Sequence, residues 1–170
     1  VPEGEEIMES ERVQDTALFA VGGLLNLLDE IMAGRGKHGF ALVRPPGHHA
    51  EPDRAMGFCF FNNVALGAQH VLAAHGLERV LVVDVDAHHG NGTQAAFYDR
   101  ADVLYFSIHR DHAYPFTGAA VETGEGPGRG HTVNVPIDRR IGDLEYAALL
   151  RHLLAPIARQ YRPQFILVSC

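Results

Sequence analysis

The chain has 170 residues, 46% of them hydrophobic and 21% charged, with a formal net charge of −7. That length buries a substantial core within one domain, while the acidic balance, with no basic run, excludes a phosphate-tracking nucleic-acid binder. Two cysteines outside any CxxC pair, Cys59 and Cys170, speak against a disulfide scaffold, and no apolar run is long enough to cross a bilayer.

The acidic start, VPEGEEIMESE, lacks the basic head of a secretory signal, so a cytoplasmic location is expected. Residues 11–33 place Val13, Ala17, Leu18, Val21, Leu24, Leu25, Leu28 and Ile31 at helical spacing, and GRGKHG stops the helix. FALV (40–43) reads as a short strand cut off by RPPG. Residues 61–75 return to helical spacing, with Asn62 or Asn63 placed to cap the helix. VLVVDV (80–85) is a continuous, β-branched apolar run and reads as a buried strand, with a short helix expected over 92–99. VLYFSI (103–108) is the next strand. Residues 109–131 form a long loop rich in glycine and proline, a kind of segment that is usually functional in a compact domain. HTVNVPI (131–137) alternates as a strand does, 143–161 is helical with a kink expected at Pro156, and FILVS (165–169) is the last strand.

Strands alternating with helices predict an α/β fold, a three-layer α-β-α arrangement around a mostly parallel sheet. The chain begins without the strand that commonly opens such a fold and stops directly after FILVS, so residues 1–170 read as one partial domain of a longer protein.

The chemistry concentrates where VLVVDVDAHHGNG leaves its strand. In parallel sheets, ligands bind outside the carboxyl ends of the strands. Asp84, Asp86 and His88 sit there at two-residue spacing, which in extended backbone aims all three at one side. Two carboxylates and an imidazole suit zinc or iron(II), and a buried charge is costly unless paired or coordinated. A lone aspartate at such a place is more often a helix cap or an ion-pair partner. The run D-x-D-x-H-H-G-N-G favours a metal. Gly90 and Gly92 are expected to let the chain turn away from whatever binds.

RPPGHHAE (44–51) follows the expected strand FALV and so falls at the same sheet edge. There His48 and His49 can supply a general base and acid, with Asp84 and Asn91 as candidates to orient their far nitrogens. In MGFCFFNN (56–63), Phe60 and Phe61 read as core, whereas Phe58, next to Gly57, is placed to wall a pocket. Tyr114 and Phe116, flanking Pro115 in the long loop, are further candidates for a pocket wall. GEGPGRG (124–130) lacks the strand-to-helix setting and the GKS or GKT ending of a phosphate loop.

Taken together, RPPGHHAE, GFCFFNN, VDVDAHHGNGT and SIHRD…YPFTG resemble the histone deacetylase family, which includes acetoin-utilisation proteins and acetylpolyamine amidohydrolases. The resemblance covers nearly all of the chain after its first dozen residues. It implies an arginase/deacetylase fold and zinc-dependent hydrolysis of an acetylated protein or a small acetylated amine, with no nucleic acid or membrane as direct partner. Asp86 and His88 match family ligands of the catalytic metal. His48 and His49 match its tandem histidines, backed at the positions of Asp84 and Asn91. Gly57, Phe58 and Tyr114 fall where the family lines its acyl-lysine tunnel. A structural potassium site would use Asp84, Asp86, His88, Ser107 and the carbonyl of Ile108.

A catalytic zinc takes three protein ligands and a water. Only two can be named here, since the family's third, an aspartate, follows a strand ending like LVSC, and its transition-state tyrosine lies further on. The isolated chain is therefore expected to be inactive or nearly so. A non-catalytic acyl-binding module of the same fold is the alternative, disfavoured by the intact histidine pair. A two-metal ureohydrolase-type enzyme would need more aspartates and no HH pair.

Overall fold

Residues 11–170 are described by a computed structural model of the chain. Four strands, β1 (Val80–Asp84), β2 (Val103–Arg110), β3 (Thr132–Ile137) and β4 (Phe165–Ser169), form one fully parallel sheet in the order β3-β2-β1-β4. The helices are α1 (Glu11–Met32), α2 (Asn63–His75), α3 (Asn91–Phe97), α4 (Asp143–Leu149) and α5 (Ala155–Tyr161).

Strand periodicity divides the core into two layers. On one face of the sheet, Val80, Val82, Val103, Tyr105 and Leu167 pack against Leu28 of α1, Val64, Ala68 and Val71 of α2, and Phe97 of α3. On the other, Leu81, Val83, Leu104, Phe106 and Ile108 meet Tyr146, Leu149, Leu153, Leu154 and Ile157. β1 is buried along its whole length, as its unbroken apolar run predicts, and each such buried valine or leucine contributes roughly 1.5–3 kcal/mol. On α1 the buried stripe runs through Ala17, Ala20 and Leu28, leaving Leu18 exposed.

Two expectations about secondary structure need correction. FALV forms no strand: residues 40–43 have no ladder partner among the described residues, and Phe40 and Leu42 are 77% and 90% exposed. A strand needs a neighbour for its backbone groups, and FALV lines the same groove as the open edge of β4 without pairing to it. Over 143–161, Pro156 does more than mark a kink. A π-helical turn, Leu150–Leu154, separates α4 from α5, and the Ala155 amide reaches back to the Leu150 carbonyl. Widening the turn just before a residue with no N–H absorbs the missing i→i−4 bond.

β1 leads to β2 on one side, and the chain later returns to place β4 on β1's other side. This reversal makes the carboxyl ends of β1 and β4 the expected ligand crevice. A groove of about 600 Å³ runs along β4 from Phe165 to Cys170, lined also by Leu24 and Leu28 of α1 and by Phe40 and Leu42, and it takes in His48 and Asp86.

α2 starts where the sequence places its cap. Asn62 Oδ1 accepts from the Ala65 amide at 3.1 Å, and Asn62 Nδ2 donates to Thr93 Oγ1 at 3.1 Å and toward the carbonyls of His48 and Ala50. Asn62→Ala removes the cap and leaves buried acceptors unpaired. It is expected to cost about 2 kcal/mol in denaturant unfolding, more than an exposed cap would.

Candidate active site

Asp84, at the end of β1, is completely buried. Its carboxylate is held by three donors from three segments. The Tyr105 hydroxyl from β2 donates to Oδ2 at 3.2 Å, His48 Nδ1 lies 3.0 Å from the same oxygen, and the Asp86 amide donates to Oδ1 at 3.2 Å. Burial, and then the charge of Asp84, raise the Tyr105 pKa well above that of an ordinary phenol, so Tyr105 stays a neutral donor.

The His48–His49 loop reaches Asp84 because two backbones meet almost without side chains between them. A Cβ on Gly92 would fall 2.0 Å from the Ala50 carbonyl oxygen, and the Thr93 amide donates to the His48 carbonyl at 3.2 Å. On Gly90, a Cβ would strike Asp84 Oδ2 at 2.3 Å. Gly92 therefore serves close packing against the tandem-histidine loop, and Gly90 close packing against Asp84 and the Tyr105 hydroxyl.

The two imidazoles lie 4.1 Å apart, centroid to centroid, and their backing differs. Burial pulls the His48 pKa down, but the hydrogen bond to Asp84 and the charges of Asp84 and Asp86 outweigh it, and the net shift is upward. His49 Nδ1 lies 2.9 Å from Asn91 Oδ1. Burial lowers its pKa, the charge of His48 lowers it further, and the Asn91 bond offsets only part. Asn91 Nδ2 donates to Glu51 Oε1 at 2.6 Å and to the His49 carbonyl at 3.3 Å. With its amide group committed as donor, the Asn91 oxygen is left to accept, which places the proton of neutral His49 on Nδ1 and the lone pair on Nε2.

Asp86 and His88 converge, although not by strand alternation. β1 ends at Asp84, and residues 86–88 bend. The Asp86 carboxylate turns back to accept from the His88 amide at 2.7 Å, with His88 Nδ1 at 3.1 Å from the same oxygen and His48 Nε2 at 3.8 Å. Two ligands about 2 Å from a tetrahedral ion stand roughly 3.3 Å apart, so the Asp86–His88 pair fits zinc. Among the described residues, no third His, Cys, Asp or Glu completes a converging trio here. Ser107 is the register partner of Asp84 on β2 and is buried together with Ile108.

Tyr114 stands edge-on to both His49 and His88, at 5.0 and 6.2 Å. Gly57, at φ +56°, lies against the His49 ring, where a Cβ would sit 2.3 Å from Cδ2. Phe58 follows it, 68% exposed and itself at positive φ. Phe116 is likewise exposed, while Phe60 and Phe61 are only partly buried and line a separate cleft with Ala65 and Leu66, so they are not core residues.

Three residues with positioning contacts, Tyr105, Glu51 and His109, carry no signal of those contacts in the sequence, and His89, which stands out in VLVVDVDAHHGNG, turns to the long loop instead of to Asp86 and His88. Thr117 lies 2.8 Å from His89 Nδ1, and His109 Nε2 donates to the Gly118 carbonyl at 3.0 Å, so both rings anchor the loop that carries Tyr114. Burial and the neighbouring His109 push the His89 pKa down to about 4, which leaves it neutral at pH 7. Glu51 was visible in RPPGHHAE, but no local pattern ties it to Asn91 forty residues on.

The histone deacetylase domain profile matches residues 2–170. Human histone deacetylase 9 is 44% identical over 160 residues, covering 90% of this chain and 16% of that protein. Chloroplastic histone deacetylase 14 of Arabidopsis thaliana is 41% identical over 171 residues, covering 98% and 40%. The crystal structure of the HDA15 HD domain superposes with a TM-score of 0.88 at 47% identity, covering 91% of this chain and 46% of that one. The chain thus spans less than half the length of each of these relatives, in an α/β deacetylase fold that is incomplete here. With the profile matched over nearly its whole length, the chain belongs to the histone deacetylase family.

Proposed function

We propose that these residues are the larger part of a zinc-dependent deacetylase site, which hydrolyses an N-acetyl-lysine or a small acetylated amine. The observation that carries the reading is the pair of imidazoles, centroids 4.1 Å apart and rings tilted by 46°, one backed by the Asp84 carboxylate and the other by the Asn91 amide, standing beside the Asp86–His88 pair. Titratable neighbours whose environments push them apart are what acid–base chemistry at neutral pH requires.

Asp86 and His88 would hold the zinc, with a third ligand expected from residues after Cys170, since β4 delivers the chain beside Asp84 in register with Ser169. Iron(II) suits the same donors. Bound there, the ion would polarise the amide carbonyl and acidify a water. His49 Nε2 takes a proton from the attacking water as its oxygen bonds to the amide carbon. That proton then passes to the leaving amine as the C–N bond breaks. His48, held toward its cationic form by Asp84, steadies negative charge developing beside it. Tyr114 and Phe58 would wall the acyl chain. Asp84, Asp86, His88, Ser107 and the Ile108 carbonyl would hold a potassium ion.

His49→Ala in the full-length protein is expected to lower kcat about 100-fold or more against an acetyl-lysine peptide, with zinc content unchanged by metal analysis. Equal rates would remove His49 from the chemistry. A screen over acetyl-lysine peptides, acetylpolyamines and small acyl amides assigns the substrate. The purified 170-residue chain, holding two of three zinc ligands, is expected to bind zinc weakly and leave such peptides intact; robust turnover would refute the two-ligand account.

The base must be neutral, so the acid limb of kcat/KM follows the His49 pKa. A carboxylate at position 91 would raise that pKa and move the limb to higher pH. Asn91→Asp alone puts two carboxylates 2.6 Å apart with Glu51, and the pair would hold a proton between them. The limb is therefore expected to move little in Asn91→Asp and clearly upward in Asn91→Asp/Glu51→Gln. An unmoved limb in the double variant, read from its pH–rate profile, would count against His49 as base.

A further inference from the structure

Away from the groove, α1 and α2 bring three metal-binding side chains to one point. Asp29 opens the last turn of α1; His70 and His75 lie on α2. Both imidazole Nε2 atoms are 2.7 Å from the same oxygen, Asp29 Oδ1. The rings stand edge to face with centroids 5.5 Å apart. All three potential ligand atoms fall within 4.8 Å of one another, the one such group among the described residues.

We propose that Asp29, His70 and His75 form a second metal site, for a divalent transition ion of the zinc type, which staples α1 to α2. Two imidazoles and a carboxylate are a donor set that zinc accepts, and a water can fill the fourth position. Tetrahedral ligands about 2 Å from zinc stand roughly 3.3 Å apart, so the observed contacts need open by only about half an ångström. The ligands are pre-gathered by the packing of the two helices, which share Leu24, Leu25, Leu28, Val64, Ala68 and Val71 in one core layer. Little ordering is left for the ion to impose. The side chains are 24% exposed at each histidine and 45% at Asp29, so an ion can enter and exchange. The staple would act at a distance on the candidate active site: α2 carries at its other end Asn62 and Asn63, which hold the His48 and Pro45 carbonyls of the tandem-histidine loop.

The competing account is that the trio is only a pair of His–Asp hydrogen bonds, which on a half-exposed surface add little. Glutamine separates the two, because its amide still donates to Asp29 but ligates zinc poorly. The test uses the full-length protein carrying Asp86→Ala and His88→Ala, stripped of metal by a chelator, and titrated with Zn²⁺ alone and with Co²⁺ alone. Expected are one equivalent of zinc, visible cobalt d–d bands of a four- or five-coordinate site, and a zinc-dependent rise in Tm. All three should vanish when His70→Gln and His75→Gln are added, while the circular dichroism and metal-free Tm stay close to those of the parent. Absence of zinc binding in the parent, or the same stoichiometry and Tm rise in the glutamine variant, would overturn the proposal.

Discussion

One buried carboxylate organises the candidate site. Asp84 sits at zero exposure in a sheet core, where an unsatisfied charge costs several kcal/mol. Its donors are consequently not optional. Tyr105 must point its hydroxyl along the sheet, His48 must bring its ring in from another loop, and the chain after β1 must bend so that the Asp86 amide faces back. Satisfying one charge thereby fixes the relative places of β1, β2, the tandem-histidine loop and the Asp86–His88 segment. Truncating Tyr105 or His48 would accordingly damage folding as well as chemistry.

The rest of the precision comes from irregular backbone held at close quarters. The segment at 90–93 and the loop at 47–51 touch through main-chain atoms, and Asn62 ties both to the start of α2. On the far side, His89 and His109 pin Thr117 and Gly118. A neutral histidine serves here as a rigid donor–acceptor spacer, and burial keeps it neutral. The long loop is thus anchored at its base, with Tyr114 extending over His49 and His88.

What the sequence discloses is the regular part. Apolar runs at β1 and β2 locate buried strands because burial on both faces demands unbroken hydrophobicity, and the cap at Asn62 is a local signal with a local cause. The pairing of His48 with Asp84 and of His49 with Asn91 follows from the family resemblance of RPPGHHAE and VDVDAHHGNGT, whereas the sheet-edge argument for bringing the two loops together fails, since FALV is no strand. The failures share a cause: each depends on a neighbour far away in the chain. FALV has strand composition but joins no ladder among the described residues. D-x-D-x-H aims at one point through bends after β1, which alternation cannot anticipate. Phe60 and Phe61 are apolar enough for a core that the fold places elsewhere. Glu51 reaches Asn91 forty residues along the chain, and Tyr105 reaches Asp84 twenty-one residues back.

The asymmetry of the two histidines follows from where negative charge is placed. His48 touches a carboxylate directly, and the two side chains are 8% and 0% exposed, so solvent screens the attraction little and it overcomes the penalty of burial. His49 touches an amide, and the carboxylate of Glu51 stands one group further out, with its own side chain 24% exposed and paired with Arg54. Distance, solvent and the arginine all weaken its pull on the imidazole. Yet Glu51 still holds the Asn91 amide group, and so decides that the oxygen, not the nitrogen, faces His49. The acid thus acts on His49 by fixing a tautomer and contributes little charge. A direct carboxylate would fix the same tautomer while raising the His49 pKa, beside a ring 4.1 Å away that Asp84 already holds toward its cation. Moving the charge out by one residue keeps the orientation and leaves the His49 pKa below that of an ordinary imidazole.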